Sequence, residues 1–258
     1  MRIHAETAAG AASTALLLAL CASPSAHADG TPVITKVVVN KGKNIVVGPT
    51  TVTKFSAQIT ASHPGGVSRA SVNLWHGADY DSADGAMSYD VPKCTTSGTA
   101  ATCTMNFQVK ADTRDMTNVV ANAHAGMWHV AAFATGKDRA QTVVHDYATT
   151  KVQRASKLTV NACTEPVKKG KKITVTGALT RANWTTHTWA GYSGRSVKLQ
   201  YRPKNSNTYT TLKTLTTSST GKLSTTVTAT ADGYYRYNFA GTSTTPAATA
   251  AGDYIDVT

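Results

Sequence analysis

No stretch of this 258-residue chain sustains the 3.6-residue apolar period of a helix. Short runs of β-branched and aromatic residues alternate instead with Gly, Asn, Asp and Pro, the residues that turn a chain. In the first half, strands are predicted over 33–39, 45–47, 52–59, 70–75, 103–109, 127–135 and 142–152. In the second half they are predicted over 172–176, 196–201, 209–215, 223–229, 234–239 and 254–257. The stretch 116–123 reads equally as strand or short helical turn. From Val197 to Arg202 apolar and polar residues alternate strictly, the mark of a strand with one face in water. Short strands at this spacing imply an all-β chain built as antiparallel β-sandwiches.

An internal repeat divides the chain. Lys41-Gly42-Lys43-Asn44-Ile45-Val46-Val47 matches Lys169-Gly170-Lys171-Lys172-Ile173-Thr174-Val175. Gly126-Met127-Trp128-His129-Val130 lines up with Gly233-Tyr234-Tyr235-Arg236-Tyr237. Positions of equal parity share a sheet face, so Trp128 and Val130 point one way, as do Tyr235 and Tyr237. The two motifs occur in the same order in each half, as duplication of one domain type predicts.

Asp232-Gly233-Tyr234-Tyr235-Arg236, then a Thr/Ala-rich loop and Asp253-Tyr254-Ile255-Asp256-Val257, resembles the end of actinobacterial secreted Ig-like domains. The segment 197–202 and the Gly221 turn are similar too. The resemblance covers 165–258 well and the first half loosely. It implies tandem immunoglobulin-like sandwiches, with Tyr235 in the role of the tyrosine corner. It implies almost nothing about ligand, because a fold hosts many functions.

Residues 1–28 read as a cleaved leader: Arg2 at the start, an apolar run over 9–22, a break at Pro24 and then Ala26-His27-Ala28. The run is too short for a membrane anchor. Leu20 stands before Cys21, where a lipidation signal wants a small residue. The expected product is secreted and extracellular, with one domain over 29–160 and another over 161–258. Export places Cys94, Cys103 and Cys163 in an oxidising compartment. Cys94 and Cys103 enclose residues 95–102, which suits a disulfide across a hairpin or long loop. Cys163 is the odd thiol, so the chain is a monomer or a Cys163-linked dimer. No second thiol sits at zinc-ligand spacing.

The net charge is +12. Residues 29–160 hold 13 Lys/Arg against 9 Asp, and residues 161–258 hold 12 against 4 acids. A basic secreted surface attracts polyanions such as wall teichoic acids, acidic polysaccharide or extracellular DNA, or simply keeps the chain soluble. The one dense run is Lys168, Lys169, Lys171 and Lys172. No helix carries Arg at base-reading spacing, which argues against specific nucleic-acid recognition.

Little in the chain suits catalysis. Beyond the leader the single Glu is Glu165, so a paired-Glu glycosidase is excluded. There is no His-Glu-x-x-His and no Gly-x-Ser-x-Gly. His145-Asp146 is the one candidate dyad. Asp79, Asp81 and Asp84 crowd one loop and could offer calcium its oxygens, although their order departs from that of an EF-hand. The alternative is a solvated turn. Where related Ig-like proteins carry an acidic loop, Ser62-His63-Pro64-Gly65-Gly66 has no carboxylate.

Trp184, Trp189 and Tyr192 offer a possible aromatic platform for sugar rings. The competing reading is that the indoles close a core short of large apolar side chains, since residues 161–258 include 23 Thr and 7 Ser. Trp184 is expected buried beside the Leu179 strand end, and Trp189 more exposed near Tyr192. The expected function is a secreted, non-enzymatic binding or structural protein with no obligatory cofactor. Its partner would be a cell-wall polymer or polysaccharide. The alternatives are a protease inhibitor presenting residues 95–102 and a calcium-binding accessory module.

Overall fold

The computed structural model describes residues 30–112, 117–163 and 165–258, so the expected leader lies outside the described residues. Ten strands build a first sandwich: β1 (Val33–Val39), β2 (Ile45–Val47), β3 (Thr53–Ser62), β4 (Val67–His76), β5 (Gly85–Met87), β6 (Lys93–Ser97), β7 (Ala100–Ala111), β8 (Val119–Val120), β9 (Gly126–Gly136) and β10 (Gln141–Arg154). The ambiguous stretch is β8 followed by a 3-10 turn, Asn122–His124. One sheet runs β1-β3-β7-β6, with β8 joined to β7; the other runs β2-β10-β9-β4-β5. In order of appearance these are the A-B-E-D and G-F-C sheets of an immunoglobulin sandwich, with β2 parallel to the last strand. Alternation builds the core: Phe55, Ala57, Ile59 and Ala61 of β3 meet Met105, Phe107 and Val109 of β7 and Trp128 and Val130 of β9.

The second sandwich comprises β11 (Ser156–Leu158), β12 (Asn161–Cys163), β13 (Lys172–Asn183), β14 (Thr188–Gly191), β15 (Ser196–Pro203), β16 (Thr210–Thr216), β17 (Lys222–Thr228), β18 (Gly233–Phe239), β19 (Ala248–Thr249) and β20 (Asp253–Ile255). β13 pairs with β11, β12, β14 and β17; the facing sheet runs β16-β15-β18, with β19 and β20 both on β18. This is again the A-B-E and C′-C-F-G arrangement. The chain is therefore two tandem immunoglobulin-like β-sandwiches. β10 ends at Arg154 and β11 begins at Ser156, so the chain changes sandwiches at Ala155, ahead of the expected division at 160.

The two repeat motifs fare differently. Trp128, Val130, Tyr235 and Tyr237 are all buried on the equivalent strands β9 and β18, as their parity requires. The Lys-Gly-Lys motifs feed non-equivalent strands. In the first sandwich the motif leads to β2, an edge parallel to β10, and in the second to the central β13. The tyrosine corner is also corrected. Tyr235 is buried and packs on Tyr201 at 4.9 Å, but Tyr201 makes the corner bond, donating to the carbonyls of Ala231 and Asp232 at 3.1 Å. Burial pushes the Tyr235 and Tyr237 hydroxyls up to about 12.

Candidate functional site

Trp184, Trp189 and Tyr192 do not converge. The β13–β14 turn is an Asn turn: Asn183 Oδ1 accepts from the N–H groups of Thr185 and Thr186, at 3.1 and 3.2 Å. This swings Trp184 out of its own sandwich. Its indole is fully buried in the core of the first sandwich and donates to Val47 O at 3.1 Å. The Trp184 N–H donates to Asn122 Oδ1 at 2.9 Å, and Asn122 Nδ2 donates to Asn183 Oδ1 at 2.8 Å. Trp189 stays 37% exposed, with Lys157 Nζ 4.0 Å above its ring. Tyr192 is buried in the second core, edge-on to Phe239 and covered by Arg181 at 3.9 Å. A platform of three rings is absent from this arrangement.

The same junction is held by backbone groups. Ala155 N–H donates to Val47 O at 2.9 Å, Ala182 N–H to Ala155 O at 2.7 Å, and Arg154 N–H to Thr244 O at 3.0 Å. Gln153 Nε2 reaches Thr242 O at 2.9 Å. Arg154 is buried there, its Nε donating to Ala182 O at 2.6 Å, and burial lowers its guanidinium to about 10.

The acidic loop divides its carboxylates. Asp79 accepts from Ser82 Oγ and from the N–H groups of Ser82 and Asp81, and the Ser82 hydroxyl is the main cause of its lowered pKa. Asp84 bonds His76 instead. Among the described residues no three His, Cys, Asp or Glu side chains gather closely enough to hold a metal ion. His145 and Asp146 also part company: His145 stacks on Tyr80 at 4.1 Å, while Asp146 bonds His129 at 2.8 Å.

Cys94 and Cys103 form the disulfide and lie directly opposite each other on β6 and β7. Residues 95–102 are a paired hairpin, Thr95 facing Thr102 and Ser97 facing Ala100, turning at Gly98. Of the hairpin and the long loop that the spacing allows, the structure has the hairpin, and its pairing to β7 leaves 95–102 less open than an inhibitor loop would be. Cys163 is an exposed free thiol.

The four lysines sit on a tight turn remote from the junction, with Gly170 at φ 82° and Lys171 N–H bonded to Lys168 O at 3.1 Å. All four are exposed. Two acids share that end, Glu165 on the same loop and Asp256, whose carbonyl accepts from Val167 N–H at 2.9 Å. Elsewhere in the second sandwich Asp253 accepts from Ala162 N–H, and Asp232 accepts from Val257 N–H, the first cause of its lowered pKa. Among the described residues the second sandwich has one ion pair, Lys204–Asp232 at 3.5 Å.

Two surfaces escaped the sequence reading. A polar cleft of about 750 Å³ in the first sandwich is lined by Lys41, Lys43, Lys54, Tyr89, Asp90 and Asn118. Asn40, Lys41 and Asn118 around it all have positive φ, a conformation that Asn tolerates. The second is the outer face of β15 and β18, where Arg202 covers Tyr234 at 3.8 Å and Arg236 covers Tyr209 at 3.6 Å. These residues are separated in sequence, and only strand register brings them together.

No protein-family model matches the chain, and no curated relative does. Among solved structures it is similar to the mouse nectin-like molecule 4 ectodomain (13% identity, 88% of this chain and 64% of that one, TM-score 0.26). It is similar also to the D00–D0 domain of intimin (13% identity, 85% and 99%, TM-score 0.28). A putative membrane anchored protein from Corynebacterium diphtheriae gives 12% identity over 86% and 53%, with a TM-score of 0.29. At these scores the likenesses add nothing to the strand order described above.

Proposed function

We propose that this is a secreted, non-enzymatic protein whose second sandwich contacts a polyanionic polymer of the cell wall. The observation that carries the reading is uncompensated charge. Twelve Lys/Arg share residues 161–258 with four acids, and a single described ion pair forms between them. Cations left facing water draw anionic polymers by long-range attraction and release counterions on contact. The junction supports a binding role as well. Trp184 seated in the neighbouring core fixes one sandwich against the other, so a polymer meets a preset surface.

The test is co-sedimentation of the intact protein with purified walls, before and after chemical removal of their phosphate polymers. Retention that disappears with the phosphate polymers supports the reading. Equal retention by stripped walls contradicts it.

A further inference from the structure

We infer that the outer face of β15 and β18 is a track for an extended polyol-phosphate chain, read by the spacing of its charges. The inference rests on the polyanion reading above and names the surface and the ligand class.

Lys198, Gln200 and Arg202 share one face of β15, and Arg236 of β18 lies opposite Gln200. The backbone positions that carry Lys198, Arg236 and Arg202 therefore advance by two residues each along the strand direction, about 6.8 Å per step. The two guanidiniums both reach the Tyr209 ring, Arg236 at 3.6 Å and Arg202 at 5.4 Å. Lys204, just past the end of β15, is paired with Asp232. In a polymer whose phosphates are joined by a three-carbon polyol, six covalent bonds separate successive phosphorus atoms. Two extended residues of a peptide also contain six backbone bonds and span roughly 7 Å, so the two repeats match.

Both guanidiniums are held in place before any ligand arrives. Arg236 lies on Tyr209 and donates Nε–H to Gln200 Oε1 at 2.9 Å. Arg202 lies on Tyr234 and donates to Ser206 O at 2.8 Å. A planar guanidinium fixed in this way suits a phosphate oxygen pair better than a mobile ammonium. Near Lys198 the surface opens into a concavity of about 380 Å³ lined by Arg195, Ser196 and Asn238, room for a terminal group. The four-lysine turn has Glu165 and Asp256 beside it, whereas no acid interrupts the Lys198–Arg202 stretch. Nucleic acid has a similar bond count between phosphates but binds by stacking bases on open aromatic faces. Here Tyr209 and Tyr234 are covered by arginines, so the ligand class is the polymer without bases.

The test titrates the intact protein with poly(glycerol phosphate) across a salt series. Each lost phosphate contact lowers the slope of log K against log salt by about 0.7. Lys198→Gln, at an exposed position, is expected to lower it by one such step. The double variant Arg202→Gln/Arg236→Gln is expected to lower it by about 1.4 and to weaken binding about tenfold at moderate salt. Arg202→Lys/Arg236→Lys keeps the slope. Changing Lys168, Lys169, Lys171 and Lys172 to Gln weakens long-range attraction but leaves the slope at that of the parent.

If the turn variant abolishes binding while the Arg and Lys198 variants bind like the parent, the track is wrong and the polyanion reading survives. If the parent itself does not bind any wall polyanion, both are lost. Tighter binding of single-stranded oligothymidylate, with the same dependence on Arg202 and Arg236, would overturn the choice of ligand.

Discussion

Trp184 and Val47 lie 137 residues apart in sequence, yet the indole Nε1–H of one donates to the carbonyl oxygen of the other at 3.1 Å. That oxygen also accepts from Ala155 N–H at 2.9 Å, so a single carbonyl joins the end of the first sandwich to a hairpin of the second. The indole removes its large apolar surface from water inside a core to which its own sandwich contributes little else. Burial of this kind, combined with a satisfied N–H, makes the junction a packed interface rather than a flexible linker.

Trp184→Ala is expected to cost about 3–5 kcal/mol, the usual range for a large aromatic removed from a core. The loss falls on the interface, so calorimetry should show one unfolding transition in the parent and two in the variant. Trp189→Ala removes a half-open ring and its contact with Lys157, worth about 0.5–1 kcal/mol at an exposed site. A single sharp transition in the Trp184 variant, or an equal loss in both variants, would contradict the plug.

The long strands with a regular apolar alternation, such as β3 and β9, are legible in the sequence, and several short or exposed ones are not. β6 is Lys93-Cys94-Thr95-Thr96-Ser97, exposed throughout and held to β7 by backbone pairing and the Cys94–Cys103 bridge, so no apolar alternation marks it. The sequence pattern of β13 stops at 176, where Gly177 and Ala178 interrupt it. The interruption is a packing device, since a Cβ on Gly177 would lie 2.3 Å from Thr159 O. The Lys-Gly-Lys repeat misled because similar turns can feed either an edge or a central strand. Burial of Trp184 was foreseen, but which core receives it depends on a junction that local residues do not encode. The Arg–Tyr face was invisible for a similar reason: Arg202, Tyr209, Arg236 and Tyr234 meet only once β15 and β18 are in register.

The disulfide and the free thiol give a chemical check. Non-reduced mass spectrometry should find Cys94 joined to Cys103, with Cys163 alkylated by a reagent added before reduction. A Cys163 peptide linked to either of the others contradicts the pairing. Replacing both bridged cysteines by Ser is expected to cost roughly 2–3 kcal/mol, the chain-entropy estimate for so short a loop.

Alkali should find the second core. Tyr235 and Tyr237 are buried, with folded-state pKa values raised to about 12 against an ordinary value of 10.0. The unfolded chain loses these protons first, so their contribution is intact below pH 10 and falls away between about pH 10 and 12. Each shift corresponds to about 2–3 kcal/mol. Arg154, lowered to about 10, acts in the opposite direction and offsets part of the loss. Tyr237 also donates to Val175 O at 2.9 Å, so Tyr237→Phe should cost about 1 kcal/mol at neutral pH. It should also flatten the alkaline decline measured by denaturant titration. An unchanged decline would rule out a buried Tyr237 hydroxyl as its source.

Phosphate contact by the second sandwich is measured most directly by its salt dependence. The affinity of the intact protein for phosphate-bearing walls should fall linearly in log K against log salt. The magnitude of the slope should be at least about 2, corresponding to three phosphates at about 0.7 each. An affinity that is flat with salt would contradict the account, however tight the binding.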